Sequence, residues 1–170
     1  MSTFRGLAML ASHPENADYV RQEIADQAGS FYLPYLRATV LESLRLWPTT
    51  PLVLRESTGP TEWESGEMPT GTAIVIFAPF FHCDDQRLPF ANQFAPQLWL
   101  DGNGPQSWPL IPFSAGPAAC PGRELVLLLS TTIPSALLVD SQWELKRPTR
   151  IESGKPLPGT LSHLGLRFEL

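Results

Sequence analysis

The chain has little of what would place it quickly. It carries two cysteines, Cys83 and Cys120, in 170 residues. Two thiols cannot build a disulfide framework, and they fit a reducing cytoplasm. No apolar run approaches the ~20 residues of a membrane helix. The opening run Leu7-Ala8-Met9-Leu10 is too short for the core of a signal peptide and has no basic lead beyond Arg5. Positive charge is sparse: 12 Lys and Arg against 17 Asp and Glu give a net charge of −5, with no basic cluster. That balance argues against nucleic acid as a partner. Gly102-Asn103-Gly104 lacks the rest of a nucleotide-binding glycine loop. There is no internal repeat and no low-complexity segment. The default expectation is a cytoplasmic protein with neither membrane nor nucleic acid among its partners.

What is present is a globular composition unusually rich in proline. Hydrophobic residues make up 43% of the chain, enough for a core. Eighteen prolines are about twice the usual share of roughly 5%, so much of the chain must be turn and loop. Residues 3–12 read as a helix ending before Pro14. Pro14 and Glu15 open a second helix, in which Ala17, Val20, Ile24 and Ala28 recur at helical spacing up to Gly29. Pro34 opens a third helix through about Leu46. Strands are expected near 51–57 and 72–77, separated by the turn Pro69-Thr70-Gly71. Residues 78–119 show little periodicity and read as a long ordered meander. An apolar helix over about 122–138 follows, with Pro134 as a kink or an early stop. Strands near 141–147 and 161–169 close the chain.

The most informative stretch is Phe113-Ser114-Ala115-Gly116-Pro117-Ala118-Ala119-Cys120-Pro121-Gly122-Arg123-Glu124. It sets one thiol on a glycine- and proline-rich loop at the start of an apolar helix. Unpaired N–H groups and the positive helix end favour the thiolate there, the form that binds metal. A free cysteine taken alone is more often a small buried hydrophobe. The spacing of Phe113, Gly116, Cys120 and Gly122 resembles the haem-binding loop of the cytochrome P-450 family of haem-thiolate monooxygenases. The resemblance implies Cys120 as the axial iron ligand of haem b (iron protoporphyrin IX). A thiolate in that position favours O–O cleavage, and neighbouring amides tune the iron through the sulfur. It further implies that Phe113 covers the sulfur and that Gly116 and Gly122 let the backbone approach a flat macrocycle.

A second motif carries the same resemblance. Glu42 and Arg45, three apart on the third helix, share one face, and alone would read as an ordinary surface pair. The run Tyr35-Leu36-Arg37-Ala38-Thr39-Val40-Leu41-Glu42-Ser43-Leu44-Arg45 looks like the family's Glu-x-x-Arg helix. There the pair is buried and structural, locking the meander behind the haem. Phe94-Ala95-Pro96-Gln97-Leu98-Trp99 is similar to the segment that supplies a third polar member to that pair, and this chain has Leu98 at the position. Arg55 matches the propionate-binding arginine, since a guanidinium suits a carboxylate. Ala118 stands where many relatives place Arg or His for the other propionate. Thr50, Leu52 and Val53 match a region lining the substrate pocket, as does the turn from Leu157 to Leu161, with hydrophobic packing an equally good account of both. Cys83 reads as a structural or incidental thiol. His82 reads as a loop histidine satisfied by its own hydrogen bonds, with proton donation as the alternative.

The expected fold is α+β, mainly α: residues 1–170 as the C-terminal portion of a cytochrome P-450, without the N-terminal half and most of the central oxygen-activating helix. The expected function is insertion of one atom of dioxygen into a lipophilic small molecule. Electrons would come from a ferredoxin- or flavodoxin-type donor, and a separate N-terminal half is a further candidate partner. The alternative is a catalytically silent remnant that binds haem weakly or serves as an interaction domain. A third reading, a cysteine hydrolase pairing Cys120 with His82 or His163, lacks an orienting acid.

Overall fold

The computed structural model describes residues 1–100, 110–139, 141–147 and 151–169. The Gly102-Asn103-Gly104 stretch and part of the meander lie outside the described residues. Three helices come first: α1 (Ser2–Ser12), α2 (Pro14–Asp26) and α3 (Pro34–Leu46). Prolines start α2 and α3, where a missing N–H and a fixed φ suit the first helical turn. The Glu23 carboxylate, near the end of α2, accepts the Tyr35 and Leu36 N–H groups at 2.7 and 3.0 Å. It thus satisfies two donors at the α3 N-terminus and favours the positive helix end.

Helix α3 is buried over almost its whole circumference and is the central element. Leu7, Leu10, Val20, Leu33, Leu36 and Leu138 form one apolar cluster around it. Met9, Leu46, Trp47, Ile151, Leu157, Leu161 and Leu166 form a second, joining α1 to the C-terminal segment. Two hydrogen bonds fasten that segment: Arg5 Nε to the Leu161 carbonyl and the Trp47 indole to the Pro158 carbonyl, each 2.9 Å.

The strands among the described residues form three separate two-stranded antiparallel sheets. Strand β1 (Leu52–Glu56) pairs with β4 (Ala73–Phe77), Leu54 opposite Val75 and Arg55 opposite Ile74. Between them β2 (Thr61–Trp63) and β3 (Gly66–Met68) make a small hairpin that the sequence pattern does not announce. Its residues are almost all exposed, so no alternation of apolar side chains marks it. Gly66, at φ 121°, takes a backbone position that disfavours any side chain. A five-residue helix, α4 (Ala78–His82), then opens the meander. Helix α5 (Arg123–Leu138) follows the cysteine loop, and β5 (Glu144–Arg147) pairs with β6 (Arg167–Glu169).

Pro134 does not end α5, contrary to one of the two sequence expectations. It removes one ladder donor, which costs about 3 kcal/mol in a helix interior. Yet Leu127, Thr131, Pro134 and Leu138 recur on one face and are all buried, and this packing carries the helix through. The opposite face is also apolar: Leu125, Leu129 and Ile133 are each more than half exposed.

The architecture is therefore α+β, mainly helical with small sheets, as the sequence leads one to expect. Among the described residues no helix is long and apolar enough to cross a membrane.

Candidate functional site

The centre of the site is a charged pair in the driest part of the molecule. Glu42 and Arg45 are both 0% exposed. Arg45 meets the carboxylate through two parallel bonds, Nε to Oε2 at 2.9 Å and Nη2 to Oε1 at 2.7 Å. Its remaining donors reach backbone carbonyls: His82 at 2.7 Å, Ala91 and Gln93 at 2.9 Å, and Phe90 at 3.3 Å. All five guanidinium N–H groups can thereby be used. The carboxylate receives two further donors, the Ala95 N–H and the Trp99 indole N–H, each at 2.9 Å.

The sequence reading missed the Trp99 contact. Leu98 has no polar group to offer, but its neighbour Trp99 turns its indole to Glu42, and the network is complete. An indole N–H taken out of water needs an acceptor, but only the folded path of the meander brings this one to Glu42. The pair ties α3 to α4 and to the chain from Phe90 to Trp99 in one knot. Cys83 lies at its edge, 4.0 Å from Arg45 Nη1. Burial pushes the Cys83 thiol pKa up, which keeps it protonated and unreactive.

In front of this knot lies a cleft of about 490 Å³, within the range of roughly 300–1,000 Å³ typical of ligand sites. Thr50, Leu52, Val53, Arg55, Phe113 and Cys120 all line it. Six candidates drawn from two separate stretches of sequence thus converge on one cavity. Ala118 lines it too, so that position contributes a methyl group and no cation. Leu157 and Leu161 do not line the cleft. They are buried in the second apolar cluster, so the reading of that turn as pocket wall is replaced by a packing role.

The cysteine loop is fixed from several sides. The Cys120 N–H donates to the Phe113 carbonyl at 2.9 Å, and the Ser114 N–H to the Ile111 carbonyl at 3.0 Å. Cys120 itself is exposed, its thiol a free one facing the cleft. Phe113 packs against Val40, Leu41, Leu44 and Leu127, anchoring the loop to α3 and α5. Gly116 sits at φ 64°, where a side chain is strained, so this glycine is required by the backbone itself. Gly122 differs. Its φ is −86°, and an added Cβ would come no closer than 3.9 Å to Cys120 Sγ. Within the chain nothing demands glycine there.

Arg55 approaches the loop from β1. Its Nη2 donates to Ser114 Oγ at 2.7 Å and its Nη1 to the Leu54 carbonyl at 2.8 Å. Ser114 has φ 61°, a left-handed conformation uncommon for serine, and Arg55 holds it there. The guanidinium keeps donors to spare and is the cation among the described lining residues.

His82 is buried and lines the rear of the cleft. Its Nε2 accepts the Ile111 N–H at 3.2 Å. Burial lowers its pKa to about 4, the Arg45 backbone offsetting part of the shift, so the ring is neutral near pH 7. A neutral ring accepting at Nε2 carries its proton on Nδ1. Its Nε2 is hydrogen-bonded and has no proton to donate, while Nδ1 is buried without a hydrogen-bond partner among the described residues, so the expectation of a satisfied loop histidine holds at one ring nitrogen. No described carboxylate lines the cleft, and His163 lies outside it on a short 3₁₀ turn. Among the described residues the geometry of a cysteine hydrolase is therefore missing.

Comparison with known proteins gives a consistent picture. The cytochrome P-450 family model matches residues 1–163. A cyclooctat-9-en-7-ol 5-monooxygenase from Streptomyces melanosporofaciens is 30% identical over 162 residues, covering 89% of this chain and 33% of that protein. A sugiol synthase from Salvia miltiorrhiza is 31% identical over 152 residues, covering 82% of this chain and 31% of that protein. A crystal structure of a cytochrome P-450 (CYP102L1) superposes with a TM-score of 0.76 at 24% identity, over 87% of this chain and 37% of that one. The chain thus spans about a third of the length of the curated relatives it matches.

Proposed function

Because this chain belongs to the cytochrome P-450 family, we propose that it is the cysteine-bearing portion of a haem-thiolate monooxygenase. The proposed reaction inserts one oxygen atom of dioxygen into a lipophilic small molecule. The observation that carries this reading is the convergence of Cys120, Arg55 and Phe113 with Thr50, Leu52 and Val53 on one cleft.

The residues suit haem b on chemical grounds. No group of three His, Cys, Asp or Glu among the described residues could hold a bare metal ion. A lone exposed thiol therefore suits an iron already held by a macrocycle. Cys120 supplies the thiolate from a loop braced at Phe113, Ser114 and Gly116. Arg55 offers its spare donors to a haem carboxylate while clamping Ser114. Gly122 finds its reason here, leaving the α5 entrance flat where the chain alone would tolerate a side chain. Thr50, Leu52 and Val53 present a mostly apolar wall to the substrate. Glu42 and Arg45 remain scaffold. Once bound through the thiolate, haem supplies the oxygen activation, with electrons from a ferredoxin- or flavodoxin-type donor. The two free thiols suit a reducing cytoplasm.

The outer face of α5, with Leu54, Val75 and Phe77 of the β1–β4 sheet, presents exposed apolar surface. We assign that surface to the remainder of the P-450 fold, which this chain does not span. The same surface favours a second reading, a haem-free interaction module. Purified chain titrated with hemin, reduced and exposed to carbon monoxide separates the two. A red-shifted Soret band, absent in Cys120→Ser, supports the haem-thiolate reading. No band with hemin in excess supports the module.

A further inference from the structure

His82 is used twice, and neither use is explained by the haem site alone. Its main-chain carbonyl accepts Arg45 Nη1 at 2.7 Å, which makes it part of the buried charged knot. Its imidazole Nε2 accepts the Ile111 N–H at 3.2 Å, which makes it part of the cysteine loop. Ile111 in turn accepts the Ser114 N–H at 3.0 Å, and Phe113 accepts the Cys120 N–H at 2.9 Å. The side chain is 0% exposed, so water cannot replace either bond.

We propose that His82 is a positioning residue: its neutral imidazole, acting as an acceptor, couples the Glu42–Arg45 knot to the cysteine loop and fixes where the Cys120 thiol stands. The bond sets one particular requirement, an acceptor at the Nε2 position. A buried N–H at Ile111 cannot be left without a partner, so a side chain of similar size without an acceptor releases the loop. Glutamine can put its Oε1 near the place of Nε2, whereas leucine fills the volume and offers nothing. Charge on the ring is excluded by the same geometry, since an imidazolium has two donors and no acceptor. The positioned thiol matters for haem only if the haem-thiolate reading holds, but the coupling itself is a property of the chain.

The test uses the full chain without haem. In ¹⁵N-labelled protein at pH 7, His82 is expected as the Nδ1–H tautomer, with Nε2 resonating as an unprotonated nitrogen. Finding Nε2 protonated overturns the proposal, and this measurement requires no variant. Amide exchange then reads the coupling. In His82→Leu the Ile111 and Ser114 amides are expected to exchange about fivefold faster, the factor that loss of one typical hydrogen bond produces. In His82→Gln they are expected within about twofold of the parent, while amides of α1 and α2 are unchanged in both. Unchanged Ile111 exchange in His82→Leu, or Gln failing to rescue where Leu loosens, overturns it. If the parent binds no haem, the haem reading falls while the tautomer and exchange results still decide this one. If it does bind, His82→Leu is expected to broaden the thiolate Soret band and His82→Gln to restore it.

Discussion

The buried pair gives the most demanding prediction, because its surroundings break a common rule. Removing one partner of a buried ion pair costs about 3–5 kcal/mol, yet replacing both by apolar groups is often neutral. Here it should not be. Four carbonyls, from His82, Phe90, Ala91 and Gln93, take their donors from Arg45. Two donors, the Ala95 N–H and the Trp99 indole, take their acceptor from Glu42. The double variant Glu42→Leu/Arg45→Met orphans five of these six, since the Phe90 carbonyl also accepts the Gln93 N–H at 3.0 Å, and at about 1 kcal/mol each this sets it about 5 kcal/mol below the parent. Against a total stability of about 5–15 kcal/mol this is a large fraction. Urea unfolding followed by tryptophan fluorescence checks it, with Arg45→Lys as a milder reference that keeps the charge and loses the fork. If the double variant unfolds within about 1 kcal/mol of the parent, the backbone contacts contribute little, and the reasoning that makes this pair the keystone of the meander is wrong.

Other outcomes follow from the same geometry. His82 has a folded pKa of about 4 against 6.5 unfolded, so the unfolded chain takes up its proton first as pH falls. Its contribution is fully present above pH 6.5 and is lost between 6.5 and 4, amounting to about 3 kcal/mol, and urea midpoints measured across that range should flatten in His82→Gln. Gly116→Ala must hold a side chain at φ 64° and should lose about 1–2 kcal/mol in the same urea assay. Arg55→Ala releases Ser114, lowering stability by about 1 kcal/mol without haem and weakening hemin binding in a spectral titration. Glu42→Ala or Arg45→Ala should abolish haem incorporation, and a normal haem spectrum in either would contradict the scaffold role.

Most of the helical skeleton was legible because its punctuation is chemical. Pro14 and Pro34 mark the helix starts, and the β-branched run to Phe77 marks β4. The β2–β3 hairpin was not legible, since its strands are three residues long and bury nothing that would leave a pattern. Pro134 misled in one respect: local propensity argued for an end, and the buried stripe from Leu127 to Leu138 overrode it. At the site, Cys120, Arg55 and Phe113 could be picked from spacing and resemblance. The double use of His82 could not, because both its bonds reach residues 29 and 37 positions away. Trp99 was hidden for a related reason. An indole donor completes a network normally sought among charged groups, and only the three-dimensional path of the meander brings it to Glu42.

The claim on which the functional account turns is that the Cys120 thiolate takes an iron-bound macrocycle in the cleft it faces. Hemin titration of the full chain, reduced under carbon monoxide beside Cys120→Ser, addresses it directly. The account predicts a saturable, red-shifted Soret band in the parent and none in the serine variant. An identical band in both, or no band at any hemin concentration, would contradict it.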